Sequence, residues 1–390
     1  MQVWRVLIIV LTLITISHGQ EKSTVIETDE LSEFKPIEIT GTEAEEIERN
    51  FGDDKRTVAA LAALKEGNDF WRASKFALAA GAYQKAIDLQ PEIYSAQLNL
   101  GMTVLRLKDF AKAELLFKKA LSLETNSVAA WQGLGFAHYH RKQYSFAVEA
   151  FEEAQRIAPD APETNNNLGF AYLLDDRFEA AIRSFETAIR LDPKFNPPYN
   201  GLCAAYALAR QTNQTVAACL NAIESDKRSA APHYFLGLAY MDLGQGMTAI
   251  AALEQAARLE PATARIYVGL GTAYYKLEKY QEALEQFHRA LKLNASATEA
   301  LSGLGAVYAQ MRNYDSAEKI LREAISKTAD DATIRFNLGI VCLARNDRDC
   351  ALSQYNYLKM RDETMADKLF DIIFKDRILD AALYEQKPRP

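Results

Sequence analysis

The 390-residue sequence lacks the motifs that mark most enzymes and metal proteins. It has no Cys-x-x-Cys pair, no glycine-rich phosphate loop and no Gly-x-Ser-x-Gly elbow. Only five histidines occur, and the one close pair, His138 and His140, is spaced by two residues. On a helix that spacing turns the two rings about 200° from each other, so they do not chelate one ion. These absences predict a protein that is not an enzyme and holds no metal and no cofactor.

The sequence also has no excess of basic residues over acidic ones. The chain carries 45 Lys and Arg against 52 Asp and Glu, for a net charge of −7. Residues 20–56 contain twelve acidic and five basic residues, so the remainder of the chain is close to neutral. Few large apolar residues accompany that charge, which predicts an acidic, largely disordered arm over residues 20–59. Neither part attracts a phosphate backbone, so we expect no nucleic-acid partner.

The chain has no apolar run long enough to span a bilayer, which takes about 20 residues. Its most apolar stretch, residues 6–17, has twelve residues and follows the positive charge of Arg5. Ser17 and Gly19 then supply small side chains at the positions that a signal peptidase requires. We therefore predict a cleaved signal peptide over residues 1–19 and export to the periplasm or the secretory pathway, with no membrane span in the mature chain. An uncleaved membrane anchor is the alternative.

What the sequence does contain is a repeat of 34 residues. Its clearest column is glycine, replaced once by Cys203: Gly67, Gly101, Gly135, Gly169, Gly237, Gly271, Gly305 and Gly339. Nine copies run without insertion over residues 60–365, which is typical of stacked repeats rather than of one closed core. Each copy shows two apolar stripes at helical spacing. A glycine inside a helix costs about 1 kcal/mol relative to alanine, so we interpret the column as a close approach of two antiparallel helix backbones.

These columns, together with the closing prolines Pro91, Pro159, Pro193 and Pro261, resemble the tetratricopeptide repeat (TPR) family. The resemblance implies an all-α fold, a right-handed α-solenoid of helical hairpins that acts as a scaffold for a protein or peptide partner. Residues 366–390 contain first-helix periodicity without the glycine, which predicts a C-terminal capping helix and tail. Their apolar residues Phe370, Phe374 and Leu383 leave self-association through this helix as an alternative.

In members of the family a second stripe of the first helices lines a concave groove. The residues at this stripe, or beside it, are Trp71, Asn99, Met102, Leu105, Phe136, Tyr139, Asn166, Asn167, Phe170 and Leu173. We expect the apolar ones in repeats two to four to be exposed, and the asparagines to hydrogen-bond an extended backbone. Tight packing between repeats is the alternative explanation of an apolar stripe. A further hypothesis is that the arm, through Ile37 and Ile39, occupies this groove when no partner is bound.

Four cysteines are present, and their register suggests two disulfides. Cys203 and Cys219 straddle one interhelical turn, and Cys342 and Cys350 straddle another. In an exported protein this spacing favours one disulfide within each pair, whereas small buried thiols are the alternative. Asn213 and Asn294 begin Asn-x-Ser/Thr sequences, which accept glycans only in a eukaryotic secretory pathway.

Two functions are consistent with these features. The first is an exported interaction scaffold that binds an extended, partly apolar segment of a partner in its groove. The second is a structural component of an envelope or secretion complex that acts through the ends of the array.

The signal peptide leads to the first testable prediction. The positively charged start, the apolar stretch and the small residues of the cleavage site are all complete at Gly19, so the mature chain should begin at Gln20. Intact-mass measurement of exported protein checks this. Material that retains residues 1–19 in the membrane would instead support the anchor.

Overall fold

The computed structural model describes residues 36–38, 54–328 and 330–385, and the side chains of these as far as residue 374. The predicted signal peptide and most of the predicted arm lie outside the described residues. In the described part of the chain every regular element is an α-helix. The helices fall into two compact units, which divide between residues 211 and 212.

The first unit contains nine helices after residue 54. They are α1 (Lys55–Arg72), α2 (Phe76–Leu89), α3 (Tyr94–Arg106), α4 (Phe110–Leu123), α5 (Val128–His140), α6 (Tyr144–Ile157), α7 (Pro162–Leu174), α8 (Phe178–Leu191) and α9 (Pro197–Leu208). Successive helices from α1 to α8 form four hairpins, and each hairpin packs against the next. Helix α1 begins at Lys55, five residues before the expected start of the repeats, inside the stretch assigned to the arm.

The second unit continues the same pattern. Its helices are α10 (Thr212–Ser225), α11 (Ala231–Asp242), α12 (Gly246–Leu259), α13 (Ala264–Lys276), α14 (Tyr280–Leu293), α15 (Thr298–Gln310), α16 (Tyr314–Lys327), α17 (Ala332–Ala344), α18 (Arg348–Lys359) and α19 (Glu363–Glu385). Helices α11 to α18 form hairpins, and α19 packs on both α17 and α18. The fold is therefore the α-solenoid of helical hairpins that the resemblance implied. None of the helices described combines the length and the apolarity that a membrane crossing requires.

The turn between the two helices of a hairpin uses one residue with a left-handed backbone. In the hairpin of α1 and α2 this residue is Ser74, with φ of 57°, and the Lys75 N–H closes the turn by donating to the Phe70 carbonyl at 2.9 Å. Such a six-residue closure satisfies carbonyls that the end of a helix leaves unpaired. The same register position holds Gly244 in the hairpin of α11 and α12, the one described glycine with positive φ. The constant turn keeps the repeat at 34 residues.

The glycines of the repeat face a large side chain, and this differs from the expected contact between backbones. The side chain is an aromatic ring at five of the eight glycines and a leucine at Gly237, Gly305 and Gly339. A Cβ built on Gly101 would lie 2.8 Å from the Phe117 ring, and one on Gly133, in the following first helix, 2.4 Å from the same ring. Phe117 is fully buried between them. Phe287 stands in the same way against Gly271 and Gly303. The glycines thus make room for one large side chain, which comes from the second helix of the repeat everywhere except at Gly339.

The C-terminal helix α19 begins at Glu363, three residues before the expected cap. Its Leu369 is fully buried and fills the space beside Gly339 of the last repeat. Phe370 is 37% exposed and contacts Tyr355 and Phe374, with ring centroids 5.5 Å and 4.4 Å away. The helix therefore covers the end of the array, while self-association through Phe370 stays a prediction.

All four cysteines are disulfide-bonded in the structure, as the spacing suggested. Cys342 pairs with Cys350 across the turn between α17 and α18, with Cα atoms 5.8 Å apart. Cys203 and Cys219 are both fully buried.

Disulfide mapping provides a prediction. Peptides from protein purified under thiol-blocking conditions should show Cys203 linked to Cys219 and Cys342 linked to Cys350. Each short loop should add about 3 kcal/mol of stability, so reduction should lower the midpoint of urea unfolding. Four free thiols in protein from an oxidising compartment would refute the pairs.

The contact between glycine and the aromatic ring provides a second prediction for the fold. Gly133→Ala should destabilise the array by about 1–3 kcal/mol, because the new methyl overlaps a ring that has no room to move. Gly269 occupies the same register position, but its Cβ would lie 3.1 Å from the Leu253 side chain. Gly269→Ala should therefore be close to neutral, since the helix propensity of alanine offsets the tighter contact. Urea unfolding followed by circular dichroism compares the two, and equal losses would contradict this account.

Candidate functional site

The apolar side chains expected to be exposed are buried. Met102, Leu105, Phe136, Tyr139, Phe170 and Leu173 are between 0% and 7% exposed. Phe136 meets Phe151 edge to face at 5.1 Å, and Phe170 meets Phe185 in the same way at 5.0 Å. The expectation of an exposed apolar stripe is therefore wrong, because these side chains pack against the second helix of their own repeat. Their contribution to partner binding stays a prediction.

A short segment of the arm lies instead against polar residues of the first two repeats. Residues 36–38, Pro-Ile-Glu, have no helical or strand structure. The Ile37 N–H donates to Asn99 Oδ1 at 2.9 Å, and Asn99 Nδ2 donates to the Ile37 carbonyl at 2.8 Å. One side-chain amide thus satisfies both main-chain polar groups of one residue, as a neighbouring strand would. This contact depends on the backbone of the bound segment and not on its side chain.

Asn68 reinforces this contact from the preceding repeat. Its Nδ2 donates to the Ile37 carbonyl at 3.4 Å, and its Oδ1 accepts from the Tyr83 hydroxyl at 2.7 Å and from Asn99 Nδ2 at 3.1 Å. Burial raises the pKa of Tyr83 well above its usual range, so the phenol keeps its proton and remains a donor. Because the Tyr83 hydroxyl and Asn99 Nδ2 both donate to the amide oxygen of Asn68, its amide NH₂ faces the Ile37 carbonyl. Asn68 and Asn99 are 6% and 0% exposed, so the pair is held in place.

Charge and apolar surface complete the site. Arg72 forms an ion pair with Glu38 and another with Asp69, the latter at 2.9 Å. Glu38 and Arg72 also line a cleft of about 320 Å³ together with Leu61, Leu64, Lys65 and Asn68. The Ile37 side chain is partly buried against the apolar core of the first unit. We call Asn68, Arg72 and Asn99 the asparagine-arginine site.

Of the ten residues predicted for the groove, only Asn99 has a described contact with the arm segment. Trp71 lies nearby in α1, where it contacts Phe76 and the guanidinium of Arg106. Asn166 and Asn167, two repeats after Asn99, hydrogen-bond to each other at 3.3 Å. Asn166 Oδ1 is buried and accepts no hydrogen bond from the residues that the structure describes, which is unusual for a buried amide.

Sequence analysis missed two residues of this site. Asn68 was a recognisable asparagine of the groove stripe, and its place one repeat before Asn99 was the available signal. Arg72 carried no such signal, since its ion pair joins residues 34 apart along the chain.

Two of the histidines, His138 and His140, contact neighbouring side chains. His138 Nδ1 lies 3.0 Å from Gln143 Oε1, and the His140 ring stacks on Phe110 at 4.7 Å. Burial lowers the pKa of His140, which keeps the ring neutral at physiological pH. Among the described residues, no group of three His, Cys, Asp or Glu side chains is arranged to hold a metal ion. These residues therefore offer no positive sign of catalysis.

Solved structures with this architecture support the fold. The chain superposes on the Cut9–Hcn1 hetero-tetramer of the APC/C with a TM-score of 0.54 and 19% identity, over 94% of this chain and 68% of that one. A tetratricopeptide repeat protein from Parabacteroides merdae gives a TM-score of 0.53 and 16% identity, over 64% of this chain and 99% of that one. At these identities the likeness concerns the fold alone. No curated protein matches the sequence.

Family models identify the repeats directly. One model described as tetratricopeptide repeat matches residues 64–127, 234–298, 268–329 and 303–359. A second model with the same description matches residues 128–161 and 162–195. These matches cover more than half of the chain and both compact units. The chain belongs to the tetratricopeptide repeat family.

Proposed function

We propose that this protein is an exported interaction scaffold that binds an extended segment of a partner protein at the asparagine-arginine site. One observation supports the proposal above all: a segment of the chain's own arm without regular structure lies there, bound through both main-chain groups of Ile37. A repeat array presents many equivalent surfaces. At the asparagine-arginine site the side chains are arranged to hydrogen-bond a peptide backbone. Peptide recognition by main-chain hydrogen bonds gives affinity, while adjacent side-chain contacts give specificity.

The contacts indicate how firmly a segment would be held. Two hydrogen bonds from Asn99 contribute about 1 kcal/mol each, and partial burial of an aliphatic side chain contributes up to about 1.5–3 kcal/mol. Association and ordering of the segment oppose these gains. We therefore propose recognition in the micromolar range, strengthened where a longer partner segment also reaches Asn166, whose Oδ1 accepts no hydrogen bond from the described residues.

Export is part of the same proposal. The apolar residues 6–17 support it, and so do four disulfide-bonded cysteines, since disulfides persist in oxidising compartments. A scaffold in such a compartment recognises exported or envelope proteins. The alternative function, a structural part of an envelope or secretion complex, would use the end of the array around Phe370.

A matched pair of variants tests the proposed function. In a chain that lacks the arm (residues 20–50), Asn99→Ala removes both hydrogen bonds to a bound backbone, about 2 kcal/mol in all, and should weaken partner binding about thirtyfold, because every 1.4 kcal/mol is a factor of ten. Asn167→Ala changes an asparagine at the same register position two repeats later and should retain more of the binding. Partners are identified by crosslinking in the native compartment, and their affinities are then measured with purified proteins.

Two controls accompany this test. Circular dichroism should show both variants folded, since Asn68 Oδ1 keeps its bond from Tyr83 in Asn99→Ala. If Asn99→Ala keeps every partner at wild-type affinity while Phe370→Ala loses them, the assembly function replaces the scaffold.

A further inference from the structure

We propose that Pro36-Ile37-Glu38 is an internal ligand that blocks the asparagine-arginine site, and that the partner segment which displaces it carries an aliphatic residue followed by a carboxylate. This inference rests on the proposed function and concerns the regulation and specificity of the same site. Three features of the bound segment support it: the main-chain groups of Ile37, the side chain of Ile37 and the side chain of Glu38.

The backbone feature explains why one segment can replace another. Asn99 and Asn68 bind the N–H and carbonyl of Ile37, groups that every residue except proline possesses. An incoming peptide can therefore take over these hydrogen bonds without loss. The internal segment and a partner segment compete for the same atoms and cannot be bound together.

The side chains define which segments compete well. Ile37 packs against apolar residues of the first unit, so a polar residue at this position would lose the burial. Glu38 pairs with Arg72, and Lys65 lines the same cleft, so a second cationic side chain stands near the carboxylate. A basic residue in place of Glu38 would be repelled by both. The site therefore favours an aliphatic residue followed by an acidic one.

Covalent attachment makes the internal segment an effective competitor. Residues 39–54 join it to α1, which begins at Lys55. A tether of this length gives an effective concentration of about 1 mM. Against an intrinsic dissociation constant of about 100 μM, the segment would occupy the site roughly nine-tenths of the time, and a free ligand would bind about tenfold more weakly than to an open site.

The test uses the full chain and a fluorescent peptide with the sequence of residues 33–40, Glu-Phe-Lys-Pro-Ile-Glu-Ile-Thr. Ile37→Pro in the protein removes the N–H that donates to Asn99, so it should release the internal segment. Fluorescence anisotropy should then show the peptide binding about tenfold more tightly to Ile37→Pro than to the wild-type chain. Asn99→Ala added to Ile37→Pro should reverse that gain.

A charge exchange tests the specificity. In the Ile37→Pro background, Arg72→Glu should weaken binding of this peptide several-fold and should favour the same peptide carrying Glu38→Arg. The matched control is Arg156→Glu, a change at an exposed arginine that pairs with Glu153 on α6, and it should alter neither affinity. Loss of binding to both peptides in Arg72→Glu, without exchange, would refute the acidic specificity.

The outcomes separate this inference from the proposed function. If the peptide binds wild type and Ile37→Pro equally, and Asn99→Ala abolishes both, the site binds peptides but the arm does not block it. If Ile37→Pro binds the peptide no better and Asn99→Ala has no effect, the site is not a peptide site at all. If the blocking depends on protein concentration and dimers appear in sedimentation, the segment acts on a second copy and the internal arrangement is wrong.

Discussion

The fold depends on a large buried side chain that the second helix of a repeat places between two first helices, and in several repeats this is an aromatic ring held between two glycines. Phe117 illustrates it, with Gly101 in the first helix of its own repeat and Gly133 in the first helix of the next. Because the ring needs both, no hairpin can bury it alone, and each repeat is completed by its neighbour. The interaction uses residues on the interior side of the first helices. The second glycine position differs from repeat to repeat, since Asn99 and Asn167 occupy the register position of Gly133.

Much of this fold was predictable from the sequence, although the reason for one column was not. A period of 34 residues with constant glycine and alanine columns indicates helical hairpins whatever the glycines contact. The glycine column alone could not distinguish a close backbone from a large ring, because both need the absence of a Cβ. The aromatic column, seen at Phe117 and Phe287, was the better guide. Helical periodicity gives the direction of a side chain around the axis but not its depth, and so Phe136 and Phe170 were expected to be exposed although they are buried.

The candidate site was predictable only in part. Asn99 was singled out as a donor and acceptor for an extended backbone, and it has that contact with Ile37. The role of Arg72 depends on which residue of the arm comes to lie beside it, and no local pattern encodes the contact of a helical residue with a segment that has no regular structure. Asn68 shows the intermediate case, since its position was visible while its orientation is set by the buried Tyr83 hydroxyl.

The energetics of the site explain why a tethered segment suits it. The hydrogen bonds from Asn99 are worth about 1 kcal/mol each, and the ion pair between Glu38 and Arg72 joins side chains that are 73% and 51% exposed, where such pairs contribute about 0–1 kcal/mol. These gains are comparable to the cost of ordering a short segment. A free segment of this kind binds weakly, whereas a tethered one avoids most of the cost of association. The same small energies mean that a partner with a few further contacts, for example at Asn166, would suffice to displace the arm.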